Sequence, residues 1–322
     1  MRLLRSSIAL NNAMDRRSFL TATSFALGSI LSQRGLASSR LNKVGASLDD
    51  EQSRVLRSDL LAMVNRERDS HGLETLKLDD FASQIATAHA QDMASGAFLS
   101  HWGRDGRKPY QRYSFAGGTE ATQENDGAVD HTSYFLTSEE FMSDILDSHR
   151  SMYVETPPND GHRKAILAAQ HTHVGFGVAM NYGHVRLSEI YVARYVRVDG
   201  YPATRPPRSR FKFSGQLLQP THTIQTIDVF YEELPSPPTI EWLRVTRPYS
   251  LPNERTTLFP RLPENTFYEN GSKGSIEFPE RGRFRVEVRL GKLPGIYTIV
   301  AWLQRHEWEK PFPATQVCVR VE

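Results

Sequence analysis

Three polar stretches combine residue types that could do chemistry: Ser100-His101, Gln123-Glu124-Asn125 and Asp160-Gly161-His162-Arg163. His162 follows a glycine and opens a short predicted helix, which holds its imidazole close to backbone and to the free N–H groups of a first helical turn. None of the three stretches lies inside a clean hydrophobic period, and polar residues bounded by turns gather where ligands bind. They are expected to share one cleft. The sequence contains no His-Glu-x-x-His helix, no Gly-x-Ser-x-Gly elbow and no Walker loop. Its single cysteine, Cys318, excludes an internal disulfide and a multi-cysteine zinc site, and a place in a terminal strand makes it no candidate nucleophile.

Helical periods supply the framework for these residues. A first helix is predicted over 47–73, with Ser47 and Asp50 starting a cap, Leu56, Leu60 and Val64 on one face and Gly72 ending it. A second runs from Asp79-Asp80 through Phe81, Ile85, Ala88 and Met93 to Gly96, and its alanines imply close packing. His89, between Ala88 and Ala90, reads as a packed or capping residue. Residues 98–136, which hold His101 and Glu124, read as a loop too long to be a mere connection. Thr137-Ser-Glu-Glu140 is a capping box for a third helix carrying Phe141, Ile145, Leu146 and Met152, stopped by Pro157-Pro158. Val174, Phe176, Val178 and Met180 then alternate as one strand, 185–196 forms a second, and Asn181-Tyr182-Gly183 joins them as a hairpin. Gly175 and Gly177 look superficially like a nucleotide loop, but a helix lying against the strand explains them better.

The texture changes after Tyr201-Pro-Ala-Thr-Arg-Pro-Pro-Arg208. Alternating segments at 224–231, 240–245, 284–290, 297–303 and 317–321 predict an all-β sandwich. At the other end, Asp15-Arg16-Arg17-Ser18-Phe19-Leu20, an apolar run over 21–31 and Gly35-Leu36-Ala37 resemble a twin-arginine export signal cleaved after Ala37. The expected organisation is a signal peptide over 1–37, a linker over 38–46, a first domain over 47–200, a Pro/Arg linker over 201–210 and a β-sandwich domain over 211–322. The chain has 322 residues, 39% hydrophobic and 24% charged, which suits two folded domains. Its net charge of +2 comes from Arg2, Arg5, Arg16, Arg17 and Arg34 against Asp15 alone, so the part beyond residue 37 is slightly acidic. That argues against a nucleic-acid partner.

Six stretches recur in a recognisable order: Asn65-Arg66-Glu67-Arg68, Ala86-Thr-Ala-His89-Ala90-Gln-Asp92-Met93, Ser100-His101, Gln123-Glu124-Asn125, Gly161-His162-Arg163 with Ile166-Leu167, and His173-Val174-Gly175-Phe176-Gly177. Through them residues 56–195 resemble the CAP superfamily of cysteine-rich secretory, antigen 5 and pathogenesis-related proteins, in its short bacterial form. The resemblance implies an α+β fold, a CAP-type α-β-α sandwich followed here by the all-β domain. It also implies a cleft with two histidines and two glutamates, which here would include His101, Glu124 and His162. Counting back from Tyr153 puts His149 at the fourth position; Glu139, Glu140 and Glu155 are acids that could substitute.

Two imidazoles, His101 and His162, could share a divalent ion such as zinc, with Glu124 as base for a bound water. The leading expectation is nevertheless a non-enzymatic exported protein, periplasmic or extracellular, without a transmembrane span in its mature part. Its cleft would bind a metal ion, a lipid or another small envelope ligand. The alternatives are a metal-dependent hydrolase of peptides or nucleotides using His101, His162 and Glu124, and a surface adhesion module acting through the β domain.

Overall fold

In the computed structural model, residues 48–132, 136–219, 221–306 and 309–322 are described. The expected signal peptide, the linker over 38–46 and Ser47 lie outside them. The N-terminal half comprises α1 (Asp50–Asp69), β1 (Lys77–Leu78), α2 (Asp80–Gly96), α3 (Pro109–Phe115), β2 (Ala121–Asp130), α4 (Ser138–Tyr153), α5 (Gly161–Ile166), β3 (His173–Asn181) and β4 (His184–Ala193). The C-terminal half comprises β5 (Val196–Val198), β6 (Thr204–Arg205), β7 (Arg210–Leu217), β8 (Thr223–Glu232), α6 (Ile240–Leu243) and β9 (Arg255–Leu258). It ends with β10 (Arg283–Arg289), β11 (Gly295–Gln304), β12 (Phe312–Pro313) and β13 (Val317–Val321).

Helix starts follow from side-chain oxygens that satisfy the first free N–H groups. Asp49 caps α1, accepting from the Gln52 N–H while the Gln52 side chain accepts from the Asp49 N–H. Asp79 caps α2 by accepting from the Ala82 N–H, and the Thr137/Glu140 box forms at α4 as expected. Thr137→Ala should lower stability by about 1 kcal/mol, read as a shift of the urea midpoint; an unchanged midpoint would show the box to be redundant.

The N-terminal half has three layers. Its sheet runs β1-β3-β4-β2, with β2, β4 and β3 antiparallel and β1 parallel to β3. Leu56, Leu60 and Val64 of α1 and Phe141, Ile145 and Met152 of α4 cover one face, against Phe176, Leu187 and Tyr191. Ala82 and Ala86 of α2 cover the other, against Ile190 and Val192. On that face Gly175 and Gly177 let α2 lie directly on β3: a Cβ on Gly177 would stand 2.0 Å from the Ala86 carbonyl carbon. The β3–β4 turn places Tyr182 and Gly183 at positive φ, 47° and 80°, as a two-residue hairpin with the right-handed strand twist demands.

Three segments differ from the sequence reading. The expected loop over 98–136 contains α3 and the ten-residue strand β2. β2 escaped detection because its sequence, ATQENDGAVD, is polar on both faces; it is a strand because it pairs along its whole length with β4. The expected strand over 185–196 ends at Ala193, and Val196 belongs to β5, which pairs with β7 in another sheet. The expected strand at 240–245 is the short helix α6, whose first turn is capped when the Thr239 hydroxyl accepts from the Trp242 N–H.

In the C-terminal half the described residues form a sheet β10-β7-β5 and a larger sheet β6-β13-β11-β8-β9 with β12 beside β11. Phe211, Phe213, Phe284 and Val286 from the first meet Ile227, Ile299, Leu303 and Val317 from the second in one apolar cluster.

All described residues belong to one compact unit, joined by buried polar contacts between the halves. The Cys318 N–H donates to Ser114 Oγ at 2.8 Å, and the Tyr110 hydroxyl donates to Glu232 at 2.6 Å. Burial pushes the Cys318 thiol up to about 12, which makes it inert rather than nucleophilic. Among the described residues no helix is long and apolar enough to cross a membrane.

Candidate functional site

β2 delivers the central residues. Strand alternation puts Glu124 and Asp126 on one face and Asn125 on the other. All three are buried, and 121–126 line a cavity of about 710 Å³ together with His101, Glu155 and His162. The three sequence stretches therefore do meet in one cleft. Its opposite wall comes from the C-terminal half, through residues 246–251, Pro313 and Gln316.

Glu124 is held on both sides. Its Oε1 lies 3.1 Å from His101 Nδ1, and its Oε2 accepts from Arg112 Nη2 at 2.5 Å. The same His101 nitrogen lies 3.0 Å from Asp126 Oδ2. Burial alone would depress the His101 imidazolium, but hydrogen bonds to Asp126 and Glu124 and their charge outweigh it and push it up to about 10. Burial would likewise raise the Asp126 carboxyl, yet the charge of His89 and the bonds to His101 and His89 hold it well below the usual carboxylate range. His89 enters from α2, 2% exposed. Its Nε2 donates to the Ser100 carbonyl at 2.9 Å and stands 3.8 Å from Glu124 and 3.6 Å from Asp126. Tyr249 closes the arrangement from the other half: its hydroxyl accepts from the Glu124 N–H at 2.9 Å, and its ring packs edge-on to His101 at 4.7 Å.

His162 forms a second histidine–carboxylate pair in the cleft. Its Nδ1 lies 2.5 Å from Glu155 Oε1, and its backbone N–H donates to Glu155 Oε2 at 3.0 Å. Of the three acids that could complete the cleft, Glu155 does so; Glu140 caps α4, and Glu139 lies exposed in the same first turn.

His149 is not a cleft residue, which corrects the expectation. It is fully buried among α1, α4 and β4, with Nδ1 2.7 Å from Glu189 and Nε2 3.0 Å from Glu67. Burial opposes its charge, but the Glu189 and Glu67 carboxylates push its imidazolium up to about 10. Asn125 ties this network to the cleft by donating to the His162 carbonyl at 3.1 Å and facing Glu189.

The metal expectation also shifts. Among the described residues, the group whose ligand atoms all lie within 4.8 Å of one another is His89, Glu124 and Asp126, not His101 with His162. Asp126 stands two residues after Glu124, a signal that becomes readable only once β2 is known to be a strand. Arg112 and Tyr249 carried no sequence signal, since neither lies near the motif residues in the chain.

Residues 61–195 match the family model described as the cysteine-rich secretory protein family, CAP. Among solved structures, the chain is similar to an extracellular protein containing an SCP domain from Bacillus anthracis, at 20% identity and a TM-score of 0.37 over 47% of this chain and 45% of that one. It is also similar to an outer surface protein from Borrelia burgdorferi, at 16% identity and a TM-score of 0.35 over 47% and 99% of the two chains. A cysteine-rich secretory protein from Staphylococcus aureus matches at 16% identity and a TM-score of 0.29 over 44% and 39%. The chain thus spans less than half the length of the first of these proteins. No curated protein matches. From within α1 to the crossing into the C-terminal half, residues 61–195 are a domain of the CAP family.

Proposed function

We propose that this is an exported bacterial protein that binds a small ligand in the shared cleft without chemically altering it. Export rests on the arginine pair, apolar run and small-residue exit over 15–37. The observation that carries the binding reading is the state of Glu124. Both its oxygens are already engaged, Oε1 by His101 and Oε2 by Arg112, so neither faces a position from which it could activate a water for attack.

A divalent cation fits the donor types of the site. Glu124 and Asp126 would hold it, joined by His89 once its Nε2 gave up its proton and the bond to the Ser100 carbonyl, and it would supply positive charge toward an anionic ligand. His101 already stands 3.1 and 3.0 Å from the same two carboxylates and supplies such a charge itself. Cation and imidazole therefore compete for one place. Elemental analysis of the purified chain after mild dialysis should find well under one equivalent of divalent metal. In a His101→Ala variant, which removes the imidazole shared by both carboxylates, zinc should bind more tightly than in the wild type by titration. Peptide and nucleotide hydrolysis assays should be flat for both. One tightly held zinc in the wild type, with turnover lost on Glu124→Gln, would replace this reading with the metal-dependent hydrolase.

A further inference from the structure

The cleft lies along one edge of the N-terminal sheet. β2 is the outermost strand of β1-β3-β4-β2, and the outer side of an edge strand presents backbone donors and acceptors that can template another strand. The C-terminal half covers this edge differently along its length. At the start of β2 it lies as an added antiparallel segment: the Ala121 N–H donates to the Ala314 carbonyl at 3.1 Å, the Gln316 N–H donates to the Thr119 carbonyl at 3.2 Å, and Glu120 bridges Thr315. Further along, strand-like cover stops and single side-chain atoms take over. The Thr122 N–H donates to Gln316 Oε1 at 2.8 Å, and the Glu124 N–H donates to the Tyr249 hydroxyl at 2.9 Å. Beside these donors the cavity opens.

From this arrangement we infer that the cleft accepts an extended peptide, added as a strand to the edge of β2 over Thr122–Asp126. The inference rests on the cleft being a binding site, as proposed above, and names its ligand class. Thr122 and Glu124 are two residues apart, so their N–H groups recur about every 6.8 Å along the strand. An extended main chain offers carbonyls at that repeat on one side, which a compact metabolite or an unbranched acyl chain does not. The Gln316 amide oxygen and the Tyr249 hydroxyl stand where two such carbonyls would be. Both are side-chain atoms, whose displacement breaks no backbone bond, whereas the 314–316 segment is held by the backbone bonds above. That segment also shows within the same molecule that the edge pairs with an incoming chain. Main-chain bonding would give affinity, and alternate side chains of the peptide would meet the His101–Tyr249 side and the His162–Glu155 side in turn.

The test screens the purified full chain against a bead library of N-acetylated, C-amidated hexapeptides and reads amide hydrogen exchange over 121–126. The strongest binder is then remade with an N-methyl group at each backbone amide in turn. Expected are slowed exchange over 121–126, at least tenfold loss of binding on N-methylation at alternate positions, and little loss at the intervening ones. Tyr249→Phe, which frees the Glu124 N–H, should tighten the same peptide several-fold. A binder indifferent to the position of the N-methyl group overturns the inference, as does the absence of any binder to both the wild type and Tyr249→Phe. Oleate and zinc run in the same exchange assay separate the two readings. Protection of 121–126 by either one, without any peptide, leaves a ligand cleft and removes the peptide; protection by none removes both.

Discussion

Gly177→Ala is expected to destabilise the folded chain by about 3 kcal/mol or more, at the upper end of the cost of overpacking a close-packed contact. The added methyl would stand 2.0 Å from the Ala86 carbonyl carbon and 2.1 Å from the Thr87 nitrogen. These are backbone atoms of α2, so no rotamer change relieves the clash and the helix must retreat from β3. Gly161→Ala is the control, because nothing lies within 4 Å of a Cβ there; a change within about 0.5 kcal/mol is expected. Urea unfolding of both variants beside the wild type decides the matter. A Gly177→Ala midpoint within experimental scatter of the wild type would mean that α2 does not rest on β3 as described.

The second large effect concerns His149. Glu189 is fully buried and also accepts from the Tyr191 hydroxyl at 2.7 Å, so His149→Leu leaves a buried carboxylate without its cation. A loss of about 3–5 kcal/mol at pH 6 is expected, as for breaking other buried ion pairs. The pH dependence has a definite sign. The imidazolium is pushed up from 6.5 to about 10 in the folded chain, so between those values the folded state binds the proton and the unfolded state does not. The contribution of His149 is complete below about 6.5 and is lost as pH rises toward 10. The stability gap between wild type and His149→Leu should therefore narrow steadily across that window. A gap that stays constant from pH 6 to pH 10 would show that His149 is not held as an imidazolium.

Features set by neighbouring residues were legible in the sequence, and those set by distant partners were not. Gly175 and Gly177 alternate with Val174, Phe176 and Val178, a pattern that already implied a helix against a strand, and α2 lies there. The caps at Asp79 and Thr137 were equally local and equally readable. β2 was invisible because its stability comes from pairing with β4 and from buried polar partners, not from an apolar alternation of its own. With β2 unseen, Asp126 could not be placed beside Glu124, and the long loop stood in for the floor of the cleft. His149 was misplaced for a related reason: counting along a helix gives a position but not which layer the side chain enters. In the structure it enters the α1–α4 layer. Tyr249 and Gln316 lie 125 and 194 residues from the amides they bond, distances over which single-sequence patterning carries no information.

The placement of Tyr249 and Gln316 bears on how the protein can diversify. The residues that make the N-terminal half recognisable line one wall of the cleft, while the opposite wall is encoded more than fifty residues beyond the last matched position. Selection can therefore rework what the cleft admits by altering the tail alone, leaving every signature residue intact. Two descendants identical over 61–195 could diverge in appetite, and kinship judged from that segment would miss the difference; the 246–251 strap and Gln316 are where lineages of this architecture should be compared.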